Sequence, residues 1–266
     1  MRRPFQGGLV LFYVTPPIVF SRETLVKPPI LSVLLLYSLI TTPLQADEQT
    51  EAFQTTITKQ VGGHYLVVLP EGYRESEQYP LLIFLHGRGE QGDDIEKVKI
   101  HGPFEKVREL GLPFIIVAPQ CPLDEWWDVD FLEQVIERVL EKYPVDQQRI
   151  YLTGLSMGGA GTWTYACHRP DLFAAIAPVC GFGCLSKVQR IRDVPVWAFH
   201  GAKDDVVRPS ETTDMINELY KTGNNARLTI YAEANHNAWE ATYKNPQLYE
   251  WFLSHRKNDK EKPQAE

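Results

Sequence analysis

At 266 residues, 44% of them hydrophobic and 23% charged, the chain is long enough for one large domain with a substantial core. It is too ordinary in composition for a fibrous or low-complexity protein. A formal net charge of -7, with no clustered Lys/Arg face, gives no electrostatic support to a nucleic-acid or anionic-membrane partner, which leaves small neutral or sugar-linked ligands open.

Residues 1–29 carry Arg2, Arg3, Arg22 and Lys27 among repeated prolines, and an uncharged apolar run follows over 30–40. About eleven residues is short of the roughly 20 that span a bilayer but suits the h-region of a signal peptide. Pro43, the small Ala46 and then Asp47-Glu48 predict cleavage after Ala46 and export, periplasmic or secreted. The alternative is a membrane anchor over 30–40. The chain is thereby divided into a leader over 1–46, one catalytic-size domain over 47–256, and a charged, apolar-poor tail over 257–266 expected to be disordered.

Weak alternation over 51–59 and the run 64–69, closed by Pro70-Glu71-Gly72, predict an antiparallel hairpin at a sheet edge. The continuous apolar runs 80–85 and 113–118 read as strands buried on both faces, hence a parallel sheet, with a crossover helix over 96–110. Apolar residues at 131, 132, 135, 136, 139 and 140 have a 3.6-residue period, and Asp130 is placed to cap that helix. Strands are expected over 149–153, 172–179, 195–199 and 227–231, with helices over 160–168, 210–221 and about 246–255. Alternating strands and helices imply an α/β, doubly wound, mostly parallel sheet with its site along the carboxyl edge of the strands. Only a short Gly/Cys-rich loop and one charged turn separate Val179 from Val196, so no large lid domain is expected and the cleft should be open.

Strand 149–153 runs into Gly154-Leu155-Ser156-Met157-Gly158-Gly159 and a Pro-free helical segment, which together read as a nucleophile elbow. The turn is so tight that a neighbouring side chain would collide, hence the glycines. A serine hydroxyl is a poor nucleophile near neutral pH and needs a base, which in turn needs a carboxylate to orient it. Two strand-end loops offer these groups in the order Ser, acid, His: 200–207, with Asp204 and Asp205, and 232–239, with Glu233 and His236.

The stretches Leu85-His-Gly-Arg-Gly-Glu90, Ala118-Pro-Gln-Cys-Pro122 with Trp126-Trp127, Gly154-Leu-Ser-Met-Gly-Gly159, His200-Gly-Ala-Lys-Asp204 with Val206-Val207, and Asn235-His236 extend across nearly all of 60–255. In combination they resemble the serine carboxylesterases of the α/β-hydrolase superfamily, near the dienelactone-hydrolase-like, feruloyl- and acetylxylan-esterase-like group. The resemblance implies Ser156 as nucleophile, His236 as general base and Asp204 as acid, because the family's acid lies four residues past the strand-end His. Glu233 is too close to His236 along one loop to serve easily and is expected to face solvent.

The oxyanion of a tetrahedral intermediate is best met by preorganised backbone N–H groups, each worth on the order of 3 kcal/mol. Met157, directly after the nucleophile, and Arg88, between Gly87 and Gly89, are the candidates. The Arg88 side chain has substrate, Glu90 or Asp93 within its expected reach. Trp126, Trp127 and Trp239 are candidates for a flat apolar wall of the pocket, with core packing as the alternative. His86 and His200 are expected to hold loop geometry, and His64, His101, His168 and His255 to lie at the surface or at helix ends. No His pair has metal-site spacing, so neither metal nor cofactor is expected. Cys121, Cys167, Cys180 and Cys184 are compatible with disulfides in an exported chain, though Cys180 and Cys184 suit free buried thiols at least as well.

The resulting expectation is a serine carboxylesterase working through an acyl-enzyme on a small or polysaccharide-linked ester, acetyl and feruloyl esters included. Alternatives are a prolyl-oligopeptidase-like peptidase, disfavoured by the lack of a gating domain, and a non-catalytic hydrolase-fold binding protein.

Overall fold

The computed structural model describes residues 52–56 and 58–257. The chain divides into a unit over Met1–Thr56 and a second over Ile57–Glu266, which carries all the regular secondary structure among the described residues. The expected leader, its cleavage point after Ala46 and all of the tail beyond residue 257 lie outside the described residues.

Seven strands form one sheet: β1 (Tyr65–Val68), β2 (Tyr79–Leu85), β3 (Ile115–Pro119), β4 (Val145–Leu155), β5 (Ala175–Val179), β6 (Trp197–Gly201) and β7 (Arg227–Tyr231), in the order β1-β3-β2-β4-β5-β6-β7. Every pairing is parallel except β1 with β3. The antiparallel edge strand is thus present, but its partner is β3, in the register Tyr65↔Pro119, and not the segment over 51–59. That segment alternates too weakly to bury a face: its one large apolar side chain among the described residues, Phe53, is 93% exposed.

The all-apolar strand runs behave as expected of a sheet covered on both sides. Leu81, Ile83 and Leu85 of β2 join one core cluster with residues of α2 (Val129–Lys142), α3 (Met157–His168) and α4 (Pro209–Tyr220). Leu82 and Phe84 join the opposite cluster with residues of α1 (Phe104–Glu109), α5 (Trp239–Lys244) and α6 (Pro246–Leu253). The crossover helix expected over 96–110 is broken into a 3-10 turn, Ile95–Lys99, and α1, because Gly102 adopts φ +104 ahead of Pro103. In α2 the six periodic apolar positions do face the core, but the cap is Asp128, whose Oδ1 accepts the N–H groups of Asp130 and Phe131. Asp130 instead sits in the first turn, where its carboxylate meets Lys59 at 2.7 Å.

Between β5 and β6 the chain makes a 3-10 helix, Leu185–Ile191, and no inserted domain. The sheet therefore delivers the ends of β2, β4, β6 and β7 to one edge, with no inserted domain above them among the described residues.

Candidate active site

Ser156 occupies the turn between β4 and α3 with φ 52 and ψ -114, a left-handed conformation costing on the order of 1–3 kcal/mol in a non-glycine residue. Close packing holds it there. A Cβ added to Gly158 would meet the carbonyl oxygens of Leu85 at 1.9 Å and His86 at 2.6 Å, and one added to Gly154 would meet the Gly158 oxygen at 2.4 Å. The elbow is thus pressed against the end of β2, backbone on backbone, and only glycine fits. Ser156 N–H donates to Val179 O at 2.9 Å, tying the turn to the end of β5.

Beside it, His236 of the loop after β7 places Nε2 2.8 Å from Ser156 Oγ and Nδ1 2.8 Å from Asp204 Oδ2. Asp204, in the loop after β6, is 7% exposed overall. Its Oδ1 accepts the N–H groups of Val206 at 3.0 Å and Val207 at 2.9 Å. Burial works to raise the Asp204 pKa, but these N–H groups and His236 outweigh it and hold the carboxyl below its ordinary value, so it is ionised. Asp205 is exposed, and Glu233 faces solvent in an ion pair with Lys203. A hydroxyl, an imidazole and a buried carboxylate in this chain of hydrogen bonds can pass the hydroxyl proton to the imidazole and stabilise the cation that results.

Met157 is the first residue of α3 and Arg88 the first of a 3-10 turn, Arg88–Glu90, so neither N–H has a partner within its own helix. The Gly158–Leu85 contact brings the two turns together. Glu90 Oε2 accepts Gly87 N–H at 2.9 Å, and Trp127 Nε1 donates to His86 O at 3.3 Å, fixing the Arg88 loop from both sides. The Arg88 side chain reaches neither Glu90 nor Asp93. It is 73% exposed, 4.0 Å from Asp124, because the turn points it outward.

The histidines before the strand-end glycines are both buried. His86 Nε2 accepts Cys121 N–H at 3.0 Å and Nδ1 donates to Gly87 O at 2.6 Å, and burial lowers its pKa to about 4, so it is a neutral brace of the Arg88 loop. His200 packs behind Asp204. His101 is a departure: it lies half-buried between Glu90, at 3.8 Å, and Glu240, at 3.4 Å, rather than at a free helix end.

The three tryptophans separate. Trp127 is 8% exposed and lies against His86 and Gly161, so the core claims it. Trp126 is 58% exposed, edge-to-face with Phe182 at 5.9 Å. Trp239 packs edge-on against His236, 5.2 Å between ring centroids, and lines a cavity of about 230 Å³ with His101, Glu240 and Lys244. Phe182 and Cys180 were not legible as site residues, since neither belongs to a spaced motif. The sheet brings Cys180, at the end of β5, to the Asp204 carboxylate, and burial pushes its thiol up to about 12. Ligand atoms of Cys180, Asp204 and His236 lie within 4.8 Å of one another, but N–H donors already occupy both oxygens of Asp204, a donor set suited to anchoring a carboxylate rather than to binding a cation. All four cysteines are free, with Cys184 exposed and the other three buried.

Residues 124–260, just over half of the chain, match the model of the dienelactone hydrolase family, and that stretch holds Ser156, Asp204 and His236. A probable feruloyl esterase C of Aspergillus terreus is 27% identical over 62% of this chain and 65% of its own length. A bifunctional acetylxylan esterase/xylanase of Neocallimastix patriciarum is 30% identical over 48% of this chain and 20% of its own. The chain therefore spans less than two thirds of either relative. Among solved structures, a thermostable esterase superposes with a TM-score of 0.67 at 33% identity, covering 72% of this chain and 58% of that one. With its seven-stranded sheet, its elbow and this match, the chain belongs to the dienelactone hydrolase family, on the α/β-hydrolase fold.

Proposed function

We propose that this protein is a serine carboxylesterase. The observation that carries the reading is His236 standing 2.8 Å from both Ser156 Oγ and Asp204 Oδ2. Ser156 Oγ attacks the ester carbonyl carbon while its proton passes to His236 Nε2, and the N–H groups of Met157 and Arg88 receive the oxyanion. Collapse of the intermediate breaks the bond to the alcohol, which leaves with the proton from His236. Water, deprotonated by His236 in turn, then releases the acid and restores Ser156.

The substrate we propose is an acetyl or feruloyl ester carried on polysaccharide. The names of the relatives support this, as do the short loops over the strand ends and the exposed Trp126–Phe182 pair, an aromatic surface of the kind a phenolic acyl group packs on. Export through the leader over 1–46 fits such a substrate, and among the described residues no helix is long and apolar enough to cross a membrane. N-terminal sequencing of the mature chain tests the cleavage after Ala46.

Purified protein should release p-nitrophenol from p-nitrophenyl acetate and be labelled at Ser156 by a fluorophosphonate. Failure of both refutes the reading. Comparison of acetylated xylan, methyl ferulate and an acyl-chain series then ranks the substrates.

A further inference from the structure

Hydrolysis requires His236 Nε2 to hand its proton to the departing alcohol, so the alcohol oxygen must lie within hydrogen-bond reach of that nitrogen. The alcohol half of the ester therefore emerges beside whatever packs on the His236 ring. That group is Trp239, the first residue of α5, edge-on with 5.2 Å between ring centroids. Trp239 also packs on His101, at 5.6 Å between centroids, and forms part of the wall of the cavity of about 230 Å³ that α1 and α5 line. The catalytic steps make no use of this cavity.

Its lining narrows the class of ligand. Three lysines and three glutamates contribute to the wall, so their formal charges cancel. Lys106 is paired with Glu109 at 2.6 Å, Lys244 with Glu240 at 3.1 Å, and Lys99 with Glu96. An anion would find every lysine already partnered. An apolar chain would strip water from these groups and return no hydrogen bond. A neutral sugar meets both kinds of surface: its hydroxyls accept from ammonium groups and donate to carboxylates, and its C–H face lies on the negative face of an aromatic ring. At about 230 Å³ the cavity is below the roughly 300–1,000 Å³ that enclose a drug-sized ligand, which suits one sugar unit rather than a length of chain. We infer that this cavity is a subsite for a neutral sugar unit on the alcohol side of the ester, with Trp239 as its platform beside the general base. This rests on the esterase reading above.

The test compares esters that share an acyl group and differ in the alcohol: acetylated xylo-oligosaccharide against p-nitrophenyl acetate, and feruloylated arabinoxylan oligosaccharide against methyl ferulate. The readout is the ratio of kcat/KM for the sugar ester to that for the simple ester, in wild type, Glu105→Trp and Lys106→Met. Glu105 is exposed on the first turn of α1, where an indole fills the cavity, and Lys106→Met removes a donor while keeping the length of the side chain. In both variants the ratio should fall at least about tenfold for the acyl group that wild type accepts. General damage to the fold lowers both substrates together and leaves the ratio where it was, so a ratio within about twofold of wild type in both variants overturns the inference. Between about 0.05 and 0.5 M sodium chloride the KM of wild type for the sugar ester should stay within about twofold, and a steep rise with salt would mean a charged alcohol and overturn the neutral-sugar assignment. Wild type that hydrolyses the simple esters but neither sugar ester overturns the subsite alone. No turnover of any of the four overturns the esterase reading and the subsite with it.

Discussion

Replacing Asp204 with Asn removes one acceptor from a carboxylate that takes three N–H groups, two on Oδ1 and one on Oδ2, at 2.8 to 3.0 Å. The Val206 and Val207 donors are backbone and cannot turn away, so the amide oxygen must stay on them and the NH₂ group must take the place of Oδ2. There it donates to His236 Nδ1, which drives the imidazole proton onto Nε2, the atom 2.8 Å from Ser156 Oγ. The base is then in the wrong tautomer to accept a proton. When the acid of a serine triad becomes an amide, the loss in kcat is about 10⁴-fold, close to 5.5 kcal/mol of barrier at about 1.36 kcal/mol per decade. Asp205, exposed beside it, should tolerate the same change within about twofold, as surface substitutions usually do. The assay is steady-state hydrolysis of p-nitrophenyl acetate by both variants at equal folded concentration, checked by circular dichroism. Retention of more than about one part in a hundred of kcat by Asp204→Asn would refute the tautomer argument. So would an equal loss in Asp205→Asn.

Trp127→Ala should cost about 3–5 kcal/mol of stability, because the indole is buried under α3, whereas Trp126→Ala, at a position 58% exposed, should leave Tm nearly unchanged. Equal Tm values for the two variants would place both rings at the surface. Gly158→Ala sets a Cβ 1.9 Å from the Leu85 oxygen, so it should yield insoluble or inactive protein, and a variant of wild-type kcat would show that the elbow tolerates a side chain. Asp171 is held low by Arg169, and Asp128 by Lys59, while for Asp146 burial is the largest single influence and opposes the shift, and Arg149, the Gln148 N–H and Arg256 together outweigh it. Each folded value lies below the unfolded one of about 3.9, so their stabilisation is complete above about pH 4 and is lost as the pH falls through the folded values. Calorimetry should therefore show Tm falling as the pH drops below about 4, and a Tm that stays flat there would refute the linkage.

The sequence by itself determined the elements whose cause is local. Continuous apolar runs made β2 and β3, a 3.6-residue period made α2, and the spacing of glycines around Ser156 marked a turn that other residues cannot enter. Strand-end loops in the order Ser, acid, His followed from the same reading, because each is bounded by short-range signals. Tertiary structure decided whatever depends on which elements become neighbours. The partner of β1 is β3, with Tyr65 opposite Pro119 across more than fifty residues of chain, and no local alternation specifies that pairing. Asp128 rather than Asp130 caps α2, a choice of two residues that only backbone geometry makes. Trp126 and Trp127 are adjacent in sequence and alike in chemistry, yet one is exposed and the other lies under Gly161, since burial is a property of the packed helix and not of the residue. The surroundings of Asp204 show the same division. Its loop was legible, but Cys180 and His200 reach it from β5 and β6 only because the parallel sheet lays those strand ends side by side.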